Sequence, residues 1–164
     1  VVKFLIFDVK ESIMRHSVHS VTIKRNIKDV FVFCRQFKNF PKFIPELTNV
    51  RGVSTLKTLW VLEAGLTSID WKTKIVQEIP LETICWKTIG NSDIEQIGSA
   101  TFKKNTHGNT VLKFTVDYSI PGGVFTETVI RLLGKDPDDL IALNLQRLKN
   151  YLETKQFQKK VVNL

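Results

Sequence analysis

Ile69-Asp70-Trp71-Lys72-Thr73-Lys74-Ile75 is the stretch that decides the fold. Ile69, Trp71, Thr73 and Ile75 share one side of an extended chain, and Asp70, Lys72 and Lys74 share the other, because successive strand side chains point to opposite faces. Leu112, Phe114, Val116 and Tyr118 oppose Lys113, Thr115 and Asp117 in the same way. One apolar and one solvated face marks an antiparallel sheet covered on one side. From Thr48 to Ile120 the pattern predicts six strands, near 48–55, 58–64, 67–79, 82–89, 95–104 and 109–119. Turn signals part them at Ala64-Gly65, Pro80, Gly90-Asn91-Ser92-Asp93 and Asn105-Thr106-His107-Gly108-Asn109.

Upstream, Val21 and Ile23 alternate with Ser20, Thr22 and Lys24 and add a strand from about Ser17. Asn26 then offers a helix N-cap, with Asp29 three residues on, and Ile27, Val30, Phe31 and Cys34 recur at helical spacing. Gln36 to Leu47 carries Phe37, Phe40, Phe43 and Ile44 and is punctuated by Pro41 and Pro45, which predicts a second short helix bounded by the prolines. Downstream, Pro121-Gly122-Gly123 lacks the GxxxxGK[ST] pattern of a phosphate loop and reads as a sharp strand-to-helix turn. A helical stretch opens near Val124 and carries Val129, Leu132 and Leu133, and Gly134 interrupts it. Asp136 can cap the next stretch, with Pro137 in its first position and Asp138 and Asp139 in its first turn, where acids complement the helix dipole. Ile141, Leu145, Leu148 and Leu152 carry it to about Thr154. A seven-strand antiparallel sheet must bury its inner face, and this terminal helix is the one element long enough to cover it. Residues 1–15 read as an N-terminal arm, 16–156 as one domain and 157–164 as a tail.

A length of 164 residues suits a single domain, and a hydrophobic fraction of 43% is ordinary for a globular chain. Lys and Arg number 24 against 16 acids, a formal net charge of +8. The basic residues are spread out, at Lys24-Arg25, Lys72/Lys74, Lys103-Lys104 and Lys159-Lys160, so a solvated surface or a weak attraction to an anionic membrane fits better than nucleic-acid binding. The cysteines, Cys34 and Cys85, form no CxxC or Cys/His cluster, which argues against zinc. Two buried free thiols in a reducing, cytoplasmic setting are expected. The apolar start, Val1 to Phe7, is short and Asp8, Lys10 and Glu11 follow it, unlike a secretory signal; no run reaches the ~20 apolar residues of a membrane span. The opening Val1, in place of Met, points to a trimmed or partial chain.

Several stretches together resemble the SRPBCC, or START-like, superfamily, and more narrowly its polyketide cyclase/dehydrase and coenzyme-Q-binding-like proteins. They are Val21-Thr22-Ile23-Lys24-Arg25-Asn26-Ile27-Lys28-Asp29-Val30-Phe31, Gln36-Phe37-Lys38-Asn39-Phe40-Pro41-Lys42-Phe43, Asp70-Trp71-Lys72-Thr73-Lys74-Ile75, Ile84-Cys85-Trp86-Lys87-Thr88, Gly98-Ser99-Ala100-Thr101-Phe102, Tyr118-Ser119-Ile120-Pro121-Gly122-Gly123, Leu133-Gly134-Lys135-Asp136-Pro137 and Arg147-Leu148-Lys149. They fall in family order over about residues 17–156. Lys74 stands where the family often has an acid, and Ile120 where it often has Pro. The resemblance implies an α+β helix-grip fold, like the birch-pollen allergen: a seven-stranded curved antiparallel sheet around a long C-terminal helix, with two short helices after the first strand. It also implies an apolar ligand cavity, and it leaves the reaction open, since fold does not fix function.

With that implication, the aromatic set reads as cavity lining. Trp60, Trp71, Trp86, Phe114 and Tyr118 come from the sheet, Phe37, Phe40, Phe43 and Ile44 from the short second helix, and Phe125 and Val129 from the start of the terminal helix. No catalytic constellation is visible. Glu63, Asp70, Glu78, Glu82, Glu95 and Asp117 mostly alternate outward, His16, His19 and His107 are scattered, and Cys85 between Ile84 and Trp86 reads as buried. The expected function is binding or transport of a lipid, quinone or polyketide-like molecule. The alternatives are a cyclase, aromatase or dehydrase in the same cavity, and a non-catalytic, chaperone-like partner module. No metal or cofactor is expected.

Overall fold

The computed structural model describes residues 14–64, 67–119 and 134–154. The expected turn at Pro121-Gly122-Gly123, the helical stretch from Val124 with Phe125 and Val129, residues 1–13 and the tail lie outside the described residues. Seven strands form one antiparallel sheet: β1 (Arg15–Ile23), β2 (Leu47–Gly52), β3 (Lys57–Ala64), β4 (Thr67–Ile79), β5 (Thr83–Ile89), β6 (Glu95–Lys104) and β7 (Thr110–Ser119). Their order is β1-β7-β6-β5-β4-β3-β2, so β2 to β7 form a meander and β1 pairs with the last of them. The sheet is a curled half-barrel of the helix-grip type, closed by helix α2 (Pro137–Glu153). Helix α1 (Ile27–Arg35) and a 3₁₀ helix (Phe37–Lys42) follow β1.

The strands stand close to where the alternation puts them. β2 ends at Gly52 rather than near residue 55, because Val53 and Ser54 donate their backbone N–H groups to the Lys57 carbonyl and close a tight hairpin. β1 starts at Arg15, which pairs with Tyr118. The second short helix is a single 3₁₀ stretch with Pro41 inside it rather than at its edge. Proline removes only one donor from so short an element, so the stretch tolerates it.

Helix α1 starts as its sequence predicts, with the Asn26 side chain accepting from the Asp29 N–H at 2.9 Å. Helix α2 is capped by Asp136, whose side chain accepts from the Asp138 N–H, and it has Pro137 in its first turn. Leu140, Leu145, Leu148 and Leu152 are its buried stripe. Full burial of each such side chain contributes about 1.5–3 kcal/mol.

Polar contacts then fix α2 along β1 at both ends. At its start, Arg15 pairs with Asp136 at 3.1 Å, Ser17 Oγ donates to Asp138, and His19 Nε2 lies 2.9 Å from the same carboxylate oxygen. At its end, Lys149 Nζ donates to the Thr22 carbonyl at 2.7 Å, Arg25 Nε to the Leu152 carbonyl at 2.7 Å, and the Lys24 N–H to Glu153 at 2.7 Å. Asp138 and His19 therefore join distant parts of the chain, which local spacing does not reveal.

The Ser17 hydroxyl first, and His19 second, hold the Asp138 carboxyl below the ordinary value of 3.8. A carboxyl whose folded value is depressed stabilises the fold above its unfolded value and loses that contribution as pH falls through the folded one. Wild-type protein should therefore exceed Asp138→Asn in urea midpoint at neutral pH. The gap should close as pH drops below 3.8. A constant gap across that range would assign the difference to something other than this carboxylate.

Candidate functional site

The inner face of the sheet is aromatic where strand register brings the rings together. Trp60 and Trp71 are direct partners on β3 and β4, and their rings stack with centroids 5.9 Å apart and planes 4° apart. Trp60 Nε1 donates to the buried Thr73 Oγ1 at 2.8 Å, which satisfies both groups in an apolar setting. Trp86 on β5 faces Gly98 on β6, and its indole lies across the strand at that point. A Cβ at position 98 would stand 2.3 Å from Trp86 Cζ2, so this inward position accepts only glycine while the ring lies flat. Phe114 packs on the far side of Trp86 at 5.1 Å.

The 3₁₀ helix brings its phenylalanines down onto this surface. Phe37 lies 5.2 Å from Trp60 and 5.9 Å from Trp86, and Phe40 lies 5.4 Å from Trp60 and 5.2 Å from Phe43. Edge-to-face and tilted pairs of this kind contribute about 0.5–1.5 kcal/mol each beyond their burial. Asn39 is buried and anchors the stretch, donating to the Phe33 carbonyl at 3.0 Å and accepting from Lys42 at 2.6 Å.

Beneath α2 these walls leave a cavity of about 240 Å³. A water occupies about 30 Å³ in the liquid, so this is a chamber rather than a packing void. Phe37, Phe40, Phe43, Ile44, Trp60, Trp71, Trp86, Phe114 and Tyr118 all line it. Phe125 and Val129 lie outside the described residues. The lining missed by an aromatic reading is mainly aliphatic: Leu62, Ile69 and Ile84 from the sheet, and Leu140, Ile141 and Leu145 from α2. The alternation and the helical stripe carried that signal, since these residues share faces with the aromatics.

Few polar groups reach the wall. Glu46 is held by Arg147, whose Nη1 lies 3.1 Å from both carboxylate oxygens and donates to Asn144 at 2.9 Å. Gln96 and Tyr118 complete the polar lining from β6 and β7. Burial pushes the Tyr118 phenol up, partly offset by a hydrogen bond from Arg15, so it remains protonated at neutral pH. Trp71 Nε1 is buried without a hydrogen-bond partner. An orphaned buried N–H costs about 1–3 kcal/mol, and it lies in a wall residue of the chamber. Among the described residues no three metal-ligating side chains cluster, and no helix is long and apolar enough to cross a membrane.

The fold and the apolar hollow define a START-like, helix-grip protein. The family described as "Polyketide cyclase / dehydrase and lipid transport" matches residues 23–145, and the chain belongs to it. An uncharacterised 17.2 kDa protein of Streptomyces lincolnensis is 28% identical over 118 residues, covering 72% of this chain and 76% of that protein. A START superfamily protein of Mycobacterium smegmatis superposes with a TM-score of 0.67 at 13% identity, over 84% of this chain and 97% of that one. The Zhui aromatase/cyclase of Streptomyces sp. R1128 gives a TM-score of 0.67 at 13% identity, over 86% of this chain and 94% of that one. Likeness at such identities is likeness of fold.

The cysteines separate across the sheet. Cys34 is buried and lines the cavity, and burial pushes its thiol up to about 12. Cys85 is not buried, contrary to the expectation from its apolar neighbours. Ile84 and Trp86 take the inner face, so alternation turns Cys85 outward, toward Gln77 at 3.8 Å. A thiol reagent such as a dithiobis-nitrobenzoate should therefore label Cys85 in native protein and reach Cys34 only on unfolding; mass spectrometry of the adducts decides this. Gly98→Ala should lower stability by about 1–3 kcal/mol through overpacking against Trp86, read as a lower denaturant midpoint and an altered tryptophan emission.

Proposed function

We propose that the chain binds and carries a hydrophobic small molecule, a lipid, quinone or polyketide-like compound, in this cavity, with residues 16–156 as the binding domain. The observation that carries the reading is the chamber itself: about 240 Å³ walled by three indoles, phenylalanines and aliphatic side chains. Each 100 Å² of apolar ligand surface removed from water contributes about 2.5 kcal/mol, and a ligand that fills the chamber also restores dispersion contacts its lining lacks. Tyr118, Gln96 and the Trp71 N–H are the groups that would orient a polar end. The surplus of basic residues supports a weak attraction to anionic membranes, where apolar ligands reside. Two free thiols fit a cytoplasmic setting.

A second reading, cyclisation or dehydration of a polyketide-like chain in the same cavity, is favoured by the family description and by the protonated Tyr118 phenol in the wall. Its mechanism is confinement of a flexible chain in a reactive shape, with Tyr118 donating to a carbonyl oxygen. The single wall carboxylate among the described residues, Glu46, is tied up by Arg147, which favours binding over acid–base work.

All the tryptophans of the chain line the cavity, so intrinsic fluorescence reports on it without background. Titration with a naphthoquinone or a fatty acid should shift or quench the emission saturably, and native mass spectrometry should show a one-to-one adduct. Trp71→Ala should weaken that affinity at least tenfold and cost about 3–5 kcal/mol of stability. An unresponsive emission across quinone, fatty-acid and polyketide probes removes the carrier reading. Turnover of a poly-β-ketone substrate that is lost in Tyr118→Phe replaces it with the enzymatic one.

A further inference from the structure

Strand register lines up three lysines on the face of the sheet turned away from the cavity. Lys57 of β3 stands directly opposite Lys74 of β4, and Lys74 directly opposite Lys87 of β5. All three are exposed, and among the described residues none has an ion-pair partner. Strands lie about 4.8 Å apart, so the row spans about 10 Å. That is close to the Debye length of about 8 Å at physiological salt, so the charges act together. Like charges directly opposite one another destabilise a sheet, and an anionic surface laid over them removes that penalty.

Apolar side chains surround the row. Its next position is Ile97 of β6, paired with Lys87 and 59% exposed. At the other end the β2–β3 hairpin presents Val53 and Leu56, and the bulge in β4 presents Val76. The Leu56 carbonyl accepts from the Ile75 N–H at 2.9 Å, which holds that hairpin beside the bulge. The acids on this face stand off the row: Asp70 lies four residues before Lys74 on β4, Glu63 six residues beyond Lys57 on β3, Glu95 two residues before Ile97 on β6, and Asp117 of β7, opposite Ile97, is engaged by His16.

We propose that the outer face of β3–β5, centred on Lys57, Lys74 and Lys87, docks on an anionic lipid bilayer. Lysines with long aliphatic stems reach headgroup phosphates and carboxylates, and interspersed Val, Leu and Ile enter the acyl boundary. A nucleic acid would call for stacking aromatics on this face, and the tryptophans lie on the other one. The proposal rests on the carrier reading, since docking holds the protein at the membrane in which an apolar ligand dissolves.

The test is co-sedimentation of the full chain with vesicles of phosphatidylcholine alone and of equal parts phosphatidylcholine and phosphatidylserine. Wild type should bind the mixed vesicles and lose them at high salt. Lys57→Gln/Lys74→Gln/Lys87→Gln should bind at least about tenfold more weakly. Lys103→Gln/Lys104→Gln/Lys113→Gln changes net charge equally at exposed lysines elsewhere and should bind nearly as wild type does. Equal loss in both triple variants overturns the proposal, as does tighter binding of a single-stranded oligonucleotide than of vesicles through the same lysines. No vesicle binding by wild-type protein whose tryptophans still answer an apolar ligand overturns the docking face and leaves the carrier reading standing. Vesicle binding without any tryptophan response supports the docking face and removes the carrier reading.

Discussion

A seven-stranded sheet has a whole face to bury, and a 17-residue helix is its main cover. At about 1.5 Å per residue that helix is about 25 Å long and about 10 Å wide, while the sheet is about 29 Å across at about 4.8 Å per strand spacing. One helix cannot cover such a surface if it is flat. The sheet curls, and α2 is fixed along its edge strand β1 by polar contacts at both ends. The 3₁₀ helix and α1 close another part. Among the described residues, what they leave unfilled is the chamber.

Polar and apolar interactions divide the work. Ion pairs and backbone contacts hold the perimeter: Arg15 with Asp136, Ser17 and His19 with Asp138, Arg25 with the end of α2, and Arg147 with Glu46. Exposed pairs of this kind contribute little energy individually, yet they set where the helix lies. The interior owes its stability to rings and aliphatic chains, and Trp60 shows how a polar atom is accommodated there, through Thr73. Trp71 is the exception in that wall, with an N–H that has no partner.

The two faces of the sheet are one consequence of alternation. On β4, Trp71, Thr73 and Ile75 face the protein interior, and Lys72 and Lys74 face away from it. A shift of one residue in register would exchange the two sets entirely. The tryptophan stack inside and the lysine row outside are therefore specified by the same pairing of β3 with β4.

Period and punctuation alone determined much of this protein. The strand count, the face of strand residues away from the bulges in β2 and β4, the Asn26 and Asp136 caps and the inward aromatics follow from local spacing, because side-chain direction repeats every two residues in a strand and every 3.6 in a helix. Tertiary structure decided what depends on residues far apart in the chain. Asp138 reads locally as a helix-start acid, and it becomes a cross-link only when β1 brings Ser17 and His19 to it. Gly98 must be glycine because Trp86, from the neighbouring strand, lies across it. Lysines 57, 74 and 87 become one row through register. Whether inward rings pack solid or enclose a hollow depends on the distance between sheet and helix, a sum over the whole curved structure that no local window contains.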